Sequence, residues 1–239
     1  MKPIAKLTVV IIALGIAGDV RAAGPSGSVA GTVRLSGKAP ANPPVALAAD
    51  CVKLAGHRLL QDEVVVGPDG GLANVFVQLQ GEGLTGAAGP VPTDVVVIEQ
   101  KGCAYRPRMT GARAGQTLRI VNADAALHNV HSVSAAGLDF NVAQPAAGMK
   151  FDFKLAAEQK MLRLSCDVHP WMRAFVGVVG HPWFAVTGED GRFKLAGVPP
   201  GRYDLVLWHE RFGTLRKPVS IAAGGVAAGD FEYGAGSQP

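Results

Sequence analysis

The sequence predicts an all-β chain of sandwich type. Apolar residues recur at every second position through many short runs, and brief polar or glycine-proline breaks separate those runs. A single stretch, "AADCVKLAGHRLL", is patterned as helix, and only weakly. The 31 glycines and 16 prolines are scattered, which favours many turns over long helices. With 48% hydrophobic residues, the 239-residue chain has enough apolar surface for one large all-β unit or two small ones.

Residues 1–22 read as an export leader, a signal peptide, ahead of the strands. Lys2 and Lys6 precede the run "LTVVIIALGIAG", which is too short to span a bilayer comfortably. Val20 and Ala22 then supply small residues before a cleavage point after Ala22. A retained anchor helix is the alternative. No later segment is long and apolar enough to cross a membrane, so the mature chain is expected to be soluble and periplasmic. Without the leader the net charge falls from +4 to +2, since Lys2, Lys6, Arg21 and Asp19 leave with it. The balance is weak and no Lys/Arg cluster stands out, so a nucleic-acid partner is not expected.

The elements follow in order. "VAGTVRL" reads as a strand, and two β-branched runs flanking "PDGG" read as a hairpin. "TDVVVIEQ" is the next strand. "GQTLRIVNAD" puts Leu118 and Ile120 on one face, and "MKFDFKL" alternates Phe151, Phe153 and Leu155. "KMLRLSC" alternates Leu162, Leu164 and Cys166, and "RAFVGVVG" alternates Ala174, Val176 and Val178. Beyond Ala185, Asp190-Gly191 suits a two-residue hairpin turn, "VPPG" a second turn, and Tyr203, Leu205 and Leu207 share a face. "KPVSIAAGGV" and "GDFEYG" supply two more short strands.

The chemistry concentrates in "LSCDVHPWM", where Cys166, His169 and Met172 fall within seven residues at a strand end. Upstream, "NADAALHNVHSV" brings His128, 38 residues before Cys166. Two imidazoles, one thiolate and one weak thioether are the donor set of a blue (type 1) copper site. The thiolate is soft and binds copper covalently. The imidazoles tolerate both Cu(I) and Cu(II), and the thioether of Met172 is a weak axial donor. Such a mixed set suits neither oxidation state perfectly, so little rearrangement accompanies electron gain or loss. Zinc prefers four firm donors, and methionine is a poor one. His131 lies three residues after His128 and points to the opposite face of an extended strand. Met109, Met149 and Met161 read as core or loop residues, and His57 carries no argument.

Three cysteines are an odd number for an exported chain. The simplest pairing joins Cys51 to Cys103 and leaves Cys166 as the free ligand; the alternative leaves all three as thiols. His181, His209 and Glu210 could gather into a second metal site, or His209 could simply pack between domains.

"C-D-V-H-P-W-M-R-A" and "L-H-N-V-H" resemble the ligand segments of the cupredoxin family, in its amicyanin branch, over roughly residues 92–180. The resemblance implies a Greek-key sandwich in which His128, not His131, is the ligand and Asn129 ties the two ligand loops by hydrogen bonds. It also implies that His169 lies near the surface. Pro170 and Trp171 then form an apolar rim for partner docking, unless Trp171 turns inward, and Arg173 adds a basic contact. "T-x-x-D-G-x-F-x-L-x-x-V-P-P-G-x-Y", from Thr187, resembles the carboxypeptidase-regulatory-like (transthyretin-like) sandwich. Its usual opening strands look like "GTVRL" and "ANVFVQL", far upstream. The expected organisation is therefore a discontinuous sandwich, residues 26–90 plus 183–235, around an inserted cupredoxin domain; two consecutive domains are the alternative.

The expected function is a periplasmic carrier of single electrons, without enzymatic activity. Its partner would be a redox protein such as a cytochrome or a periplasmic dehydrogenase. The alternatives are copper storage or delivery, and a binding module whose metal is structural. No Met- or His-rich tract for Cu(I) storage is present.

Overall fold

The computed structural model describes residues 25–132 and 138–236; the expected leader lies outside the described residues. The chain is all-β. It opens with β1 (Gly27–Ser36), α1 (Ala49–Ala55), β2 (Phe76–Gln80) and α2 (Leu84–Ala87). The middle holds β3 (Val96–Gln100), β4 (Tyr105–Arg106), β5 (Met109–Arg113), β6 (Thr117–Asn122), β7 (His128–Ser132), β8 (Phe140–Gln144), β9 (Lys150–Lys154), β10 (Gln159–Ser165) and β11 (Arg173–Val179). The end holds β12 (Phe184–Val186), β13 (Arg192–Val198), β14 (Gly201–His209), β15 (Gly213–Ile221), β16 (Val226–Ala228) and β17 (Phe231–Gly234).

Two sandwiches result. In one, β1 pairs with β13, β16 and β17, and this sheet encloses a core with the sheet β12-β2-β14-β15. Val29, Val33, Leu195 and Tyr233 meet Val77, Leu79, Leu205 and Leu207 there. In the other, the sheets β5-β11-β10-β7-β8 and β4-β3-β6-β9 enclose Ile98, Leu118, Ile120, Leu162, Leu164 and Val176. The period-two faces read from the sequence are the inward ones, because alternate side chains of a strand leave on opposite sides; Phe151 and Phe153 on β9 are only half-buried.

The turns differ from expectation in what they connect. Gly191 N–H donates to Gly188 O (2.9 Å), closing the Asp190-Gly191 turn. Gly191 sits at φ +68°, where a Cβ would lie 2.1 Å from Val33 O. Yet β12 pairs with β2 and β13 with β1, so this turn carries the chain between sheets and closes no hairpin. "VPPG" likewise passes from β13 to β14, which then forms the long hairpin with β15. The "PDGG" turn closes through Gly67 N–H to Gly71 O (2.9 Å), but only the bridge Val66↔Leu72 flanks it, since Leu72 N–H is taken by Val33 O. The weak helical stretch yields the seven-residue α1, ended by Gly56 in the left-handed region. A helix that short depends on its tertiary contacts.

Strand β11 explains why "AFVGVV" is nearly all apolar. Ala174, Val176 and Val178 face the second core, while Phe175 and Val179 on the other face are buried with Phe76 and Met109 and pack against Phe184 and Trp208. A strand covered on both faces loses its polar alternation. Gly177 and Gly111 accept the rings of the first sandwich. A Cβ on Gly177 would lie 2.3 Å from Phe76 Cζ, and one on Gly111 2.3 Å from Phe184 Cε2. Beside these rings, Arg108 makes a two-pronged ion pair with Glu210 (Nη2–Oε2 2.8 Å) and reaches Asp62 (2.7 Å). Arg113 donates to the carbonyls of Ala88, Gly89, Pro90 and Gly180.

Two outcomes follow from this packing. Gly177→Ala should cost about 1–3 kcal/mol by overpacking, and most of that cost should vanish in a Phe76→Ala background, as a double-mutant cycle by urea unfolding will show. His209 is fully buried beside Phe212 and Tyr233, its Nε2 without a partner among the described residues. Burial, then the nearby Arg108 charge, holds its pKa down at about 4. The unfolded chain therefore binds this proton first, and stability falls as pH drops from about 6.5 to about 4, by about 3 kcal/mol for this group. His209→Phe should flatten the pH dependence of the unfolding free energy by that amount over that window.

Candidate metal centre

The expected ligands come together at one end of the second sandwich. β10 ends at Ser165, so Cys166 opens the loop that returns as β11 at Arg173. The loop is closed by Cys166 N–H to Met172 O (3.3 Å) and Met172 N–H to His169 O (2.9 Å). His128, the first residue of β7, enters from the neighbouring strand. His128 Nδ1 lies 2.9 Å from His169 Nδ1, and Cys166 Sγ lies 3.9 Å from the same nitrogen. Met172 is buried in the apolar cluster that contains Cys166.

Among the described residues, three groups of donors lie within 4.8 Å of one another: His128–Cys166–His169, Cys51–Cys103–His169 and Cys103–Asp124–His128. Cys51 and Cys103 are bonded to each other, so the last two groups offer no thiolate. The Cys166 thiol is free, and His128, Cys166 and His169 are all buried. Their separations fit one ion held about 2 Å from each nitrogen and about 2.3 Å from the sulfur.

The surroundings orient these donors. Asp124 Oδ2 lies 3.0 Å from His128 Nε2 and also accepts the N–H of Cys103, while Oδ1 accepts that of Gly102. A carboxylate facing Nε2 keeps the proton there and leaves Nδ1 its lone pair, the arrangement that supports metal-bound imidazoles. Burial, then the neighbouring His128, pushes the His169 pKa down, which favours its neutral form. Asn129 Oδ1 accepts from the Cys166 thiol (3.2 Å) and from Asp167 N–H (2.7 Å), and Asn129 N–H points at Cys166 Sγ (3.5 Å). Tyr105 donates to Asn129 O (2.7 Å), and burial raises its pKa. His131 faces away and meets Asp167 Oδ1 at 2.9 Å.

His169 departs from the resemblance, which places it near the surface. The residue is 2% exposed, and its Nε2 lies 3.4 Å from Cys51 Sγ. α1, drawn in by the Cys51–Cys103 bridge, covers the edge that was expected to face solvent. Pro170 is exposed. Trp171 is half-buried: its indole N–H donates to Cys103 O (2.9 Å) and its ring lies 5.1 Å from that of His169.

His181, His209 and Glu210 do not gather. His181 Nε2 binds Leu79 O, His209 packs on Phe212, and Glu210 is held by Arg108. Asp124, Asp167 and Tyr105 were not singled out by sequence reasoning. An acid four residues before a candidate ligand, in "NADAALH", was the available signal for Asp124. Tyr105 carried none, since its role depends on strands far apart in sequence.

No family model matches the chain, and no curated protein does. Among solved structures, a purple cupredoxin from Nitrosopumilus maritimus is 23% identical and aligns over 35% of this chain and 98% of its own, with a TM-score of 0.31. A copper-containing nitrite reductase from Thermus scotoductus SA-01 is 18% identical over 42% of this chain and 25% of its own, with a TM-score of 0.32. A reduced amicyanin carrying a single substitution is 20% identical over 43% of this chain and 97% of its own, also at 0.32. At these values the likeness carries no weight, and the site is read from its own geometry.

The bridge spans 52 residues. The double variant Cys51→Ala/Cys103→Ala should lose about 4 kcal/mol of unfolding free energy in the chain-entropy account. Hydrogen exchange at α1 amides should rise in step, while the β14–β15 hairpin keeps its protection pattern.

Proposed function

We propose that the chain is a type 1 copper protein of cupredoxin kind that carries single electrons in the periplasm. In this reading the copper-binding sandwich, roughly residues 92–180, is inserted into a carboxypeptidase-regulatory-like one. The observation that supports it is the buried group His128–Cys166–His169, the one donor group with a free thiol among the described residues. Met172, in the same loop, would add its thioether as a weak fourth donor. Copper, when bound, supplies a one-electron couple.

The protein's own residues do the rest. Cys166 offers its sulfur as thiolate, held by the Asn129 backbone N–H. Asp124 keeps the His128 proton on Nε2. The disulfide and α1 exclude water from His169. A loop closed by its own backbone bonds and tied to Asn129 resists rearrangement, which is what rapid electron exchange requires. Four protein donors leave no open position for a substrate, so the reading is a carrier rather than an enzyme. Its partner is a redox protein, such as a cytochrome or a periplasmic dehydrogenase.

Titration of the purified protein with Cu(II) should give an intense blue thiolate-to-copper band at one equivalent. The band should be absent in Cys166→Ser and in His128→Ala. A colourless one-to-one Cu(II) complex overturns the reading.

A further inference from the structure

The buried His169 leaves open where an electron leaves the molecule. Its Nε2 edge is closed by Cys51 Sγ at 3.4 Å. The neighbouring ring that reaches outward is Trp171, 5.1 Å away between centroids. Its outer side, with Pro170, Glu63 and Arg173, lines a cavity of about 310 Å³. Glu63 and Arg173 also line a second cavity of about 290 Å³, together with Arg163, Phe175, Glu210 and Arg211. The two cavities adjoin through Glu63 and Arg173, which line both, and the groove they make begins at the ligand loop.

The charges in this groove do not balance. Glu210 is taken by Arg108, and Glu63 by Arg173 at 3.2 Å. Arg163 is exposed on β10, two ladder positions from the pairing of Ser165 with Arg173. Arg211 is exposed in the β14–β15 turn. Neither forms an ion pair among the described residues. The surplus in the groove is positive, and half of it comes from the other sandwich.

We propose that this groove is the docking surface for an acidic redox protein, whose carboxylates pair with Arg163 and Arg211 while its redox group meets Trp171. The inference rests on the electron-carrier reading and deepens it by naming the port and the partner's charge. It also gives the second sandwich a part in exchange, because Arg211 belongs to it. Copper held by these residues would supply the one-electron couple and the partner's redox group would be the acceptor; the His169 imidazole and the Trp171 indole would lie between the two without being oxidised.

The first test needs no copper. Hexacyanochromate(III), a redox-inert paramagnetic trianion, should broaden the Trp171 indole N–H and the amides of Arg173 and Arg211 in the NMR spectrum of the metal-free protein. The effect should fade as salt is raised and weaken about tenfold in Arg163→Glu/Arg211→Glu. The second test uses reduced, copper-loaded protein. Oxidation by hexacyanoferrate(III), which becomes hexacyanoferrate(II), should slow about tenfold in the same variant, and oxidation by the cationic tris(phenanthroline)cobalt(III) should quicken. Trp171→Leu should slow both oxidants, and Trp171→Phe, which keeps a ring, should restore the rate. Broadening confined to another face, or rates indifferent to both the arginine and the Trp171 variants, overturns the proposal. A wild-type protein that fails to turn blue overturns the carrier reading instead, while the anion measurement still reports on the groove.

Discussion

One side-chain amide holds the site together. Among the described residues, β7 and β10, which bring in the candidate ligands, are paired at two positions, Leu164↔Ser132 and Ser165↔His131. From there the Asn129 side chain takes over. Its oxygen receives the Cys166 thiol and the N–H groups of Asp167 and Val168, and its nitrogen gives to Asp167 and Asn141. A single residue thus converts two loose loop ends into a fixed distance between sulfur and imidazole. Buried donors and acceptors left without partners cost about 1–3 kcal/mol each, so this knot has no cheap alternative arrangement.

The second constraint comes from outside the metal sandwich. Between β1 and β2 the chain makes a long excursion that touches the other sandwich at three places: Cys51 on Cys103, Asp62 on Arg106 and Arg108, and Glu63 on Arg173. The contacts frame the ligand loop. Exposed ion pairs such as Arg173–Glu63 contribute little by themselves. The buried Arg108–Glu210 pair is different, since removing one partner strands the other charge away from water. With Phe76 and Phe184 seated on glycines of β11 and β5, the excursion and the hairpin turn are held against the metal sandwich as one body.

Much of this was legible locally. Strand faces could be read because alternation is a property of neighbouring residues, and the candidate donors stood out because Cys166, His169 and Met172 share one turn. The Cys51–Cys103 pairing was the simplest of the readings an odd count left open, and it is the one that forms. What was not legible depends on partners distant in sequence. The Asp190-Gly191 turn looks like a hairpin until β1 and β2 claim its two flanking strands. The apolar run of β11 reads as a strand, but its second buried face requires Phe76 and Trp208 from another sandwich. The burial of His169 was hidden for the same reason, because the cap over it comes from a seven-residue helix more than a hundred positions upstream.

The crowding of sulfur around His169 has a bearing on how the chain matures. Cys51 Sγ sits at one ring nitrogen and Cys166 Sγ near the other. Three thiols so placed allow three different bridges, and two of them consume the sulfur of the candidate site. Native pairing therefore requires the sheets that bury Cys166 to close before an oxidant reaches them, or a thiol-exchanging helper to undo the wrong bridge afterwards. In the folded chain that choice is closed: Cys51 and Cys103 hold each other, and Cys166 keeps its thiol out of reach of solvent.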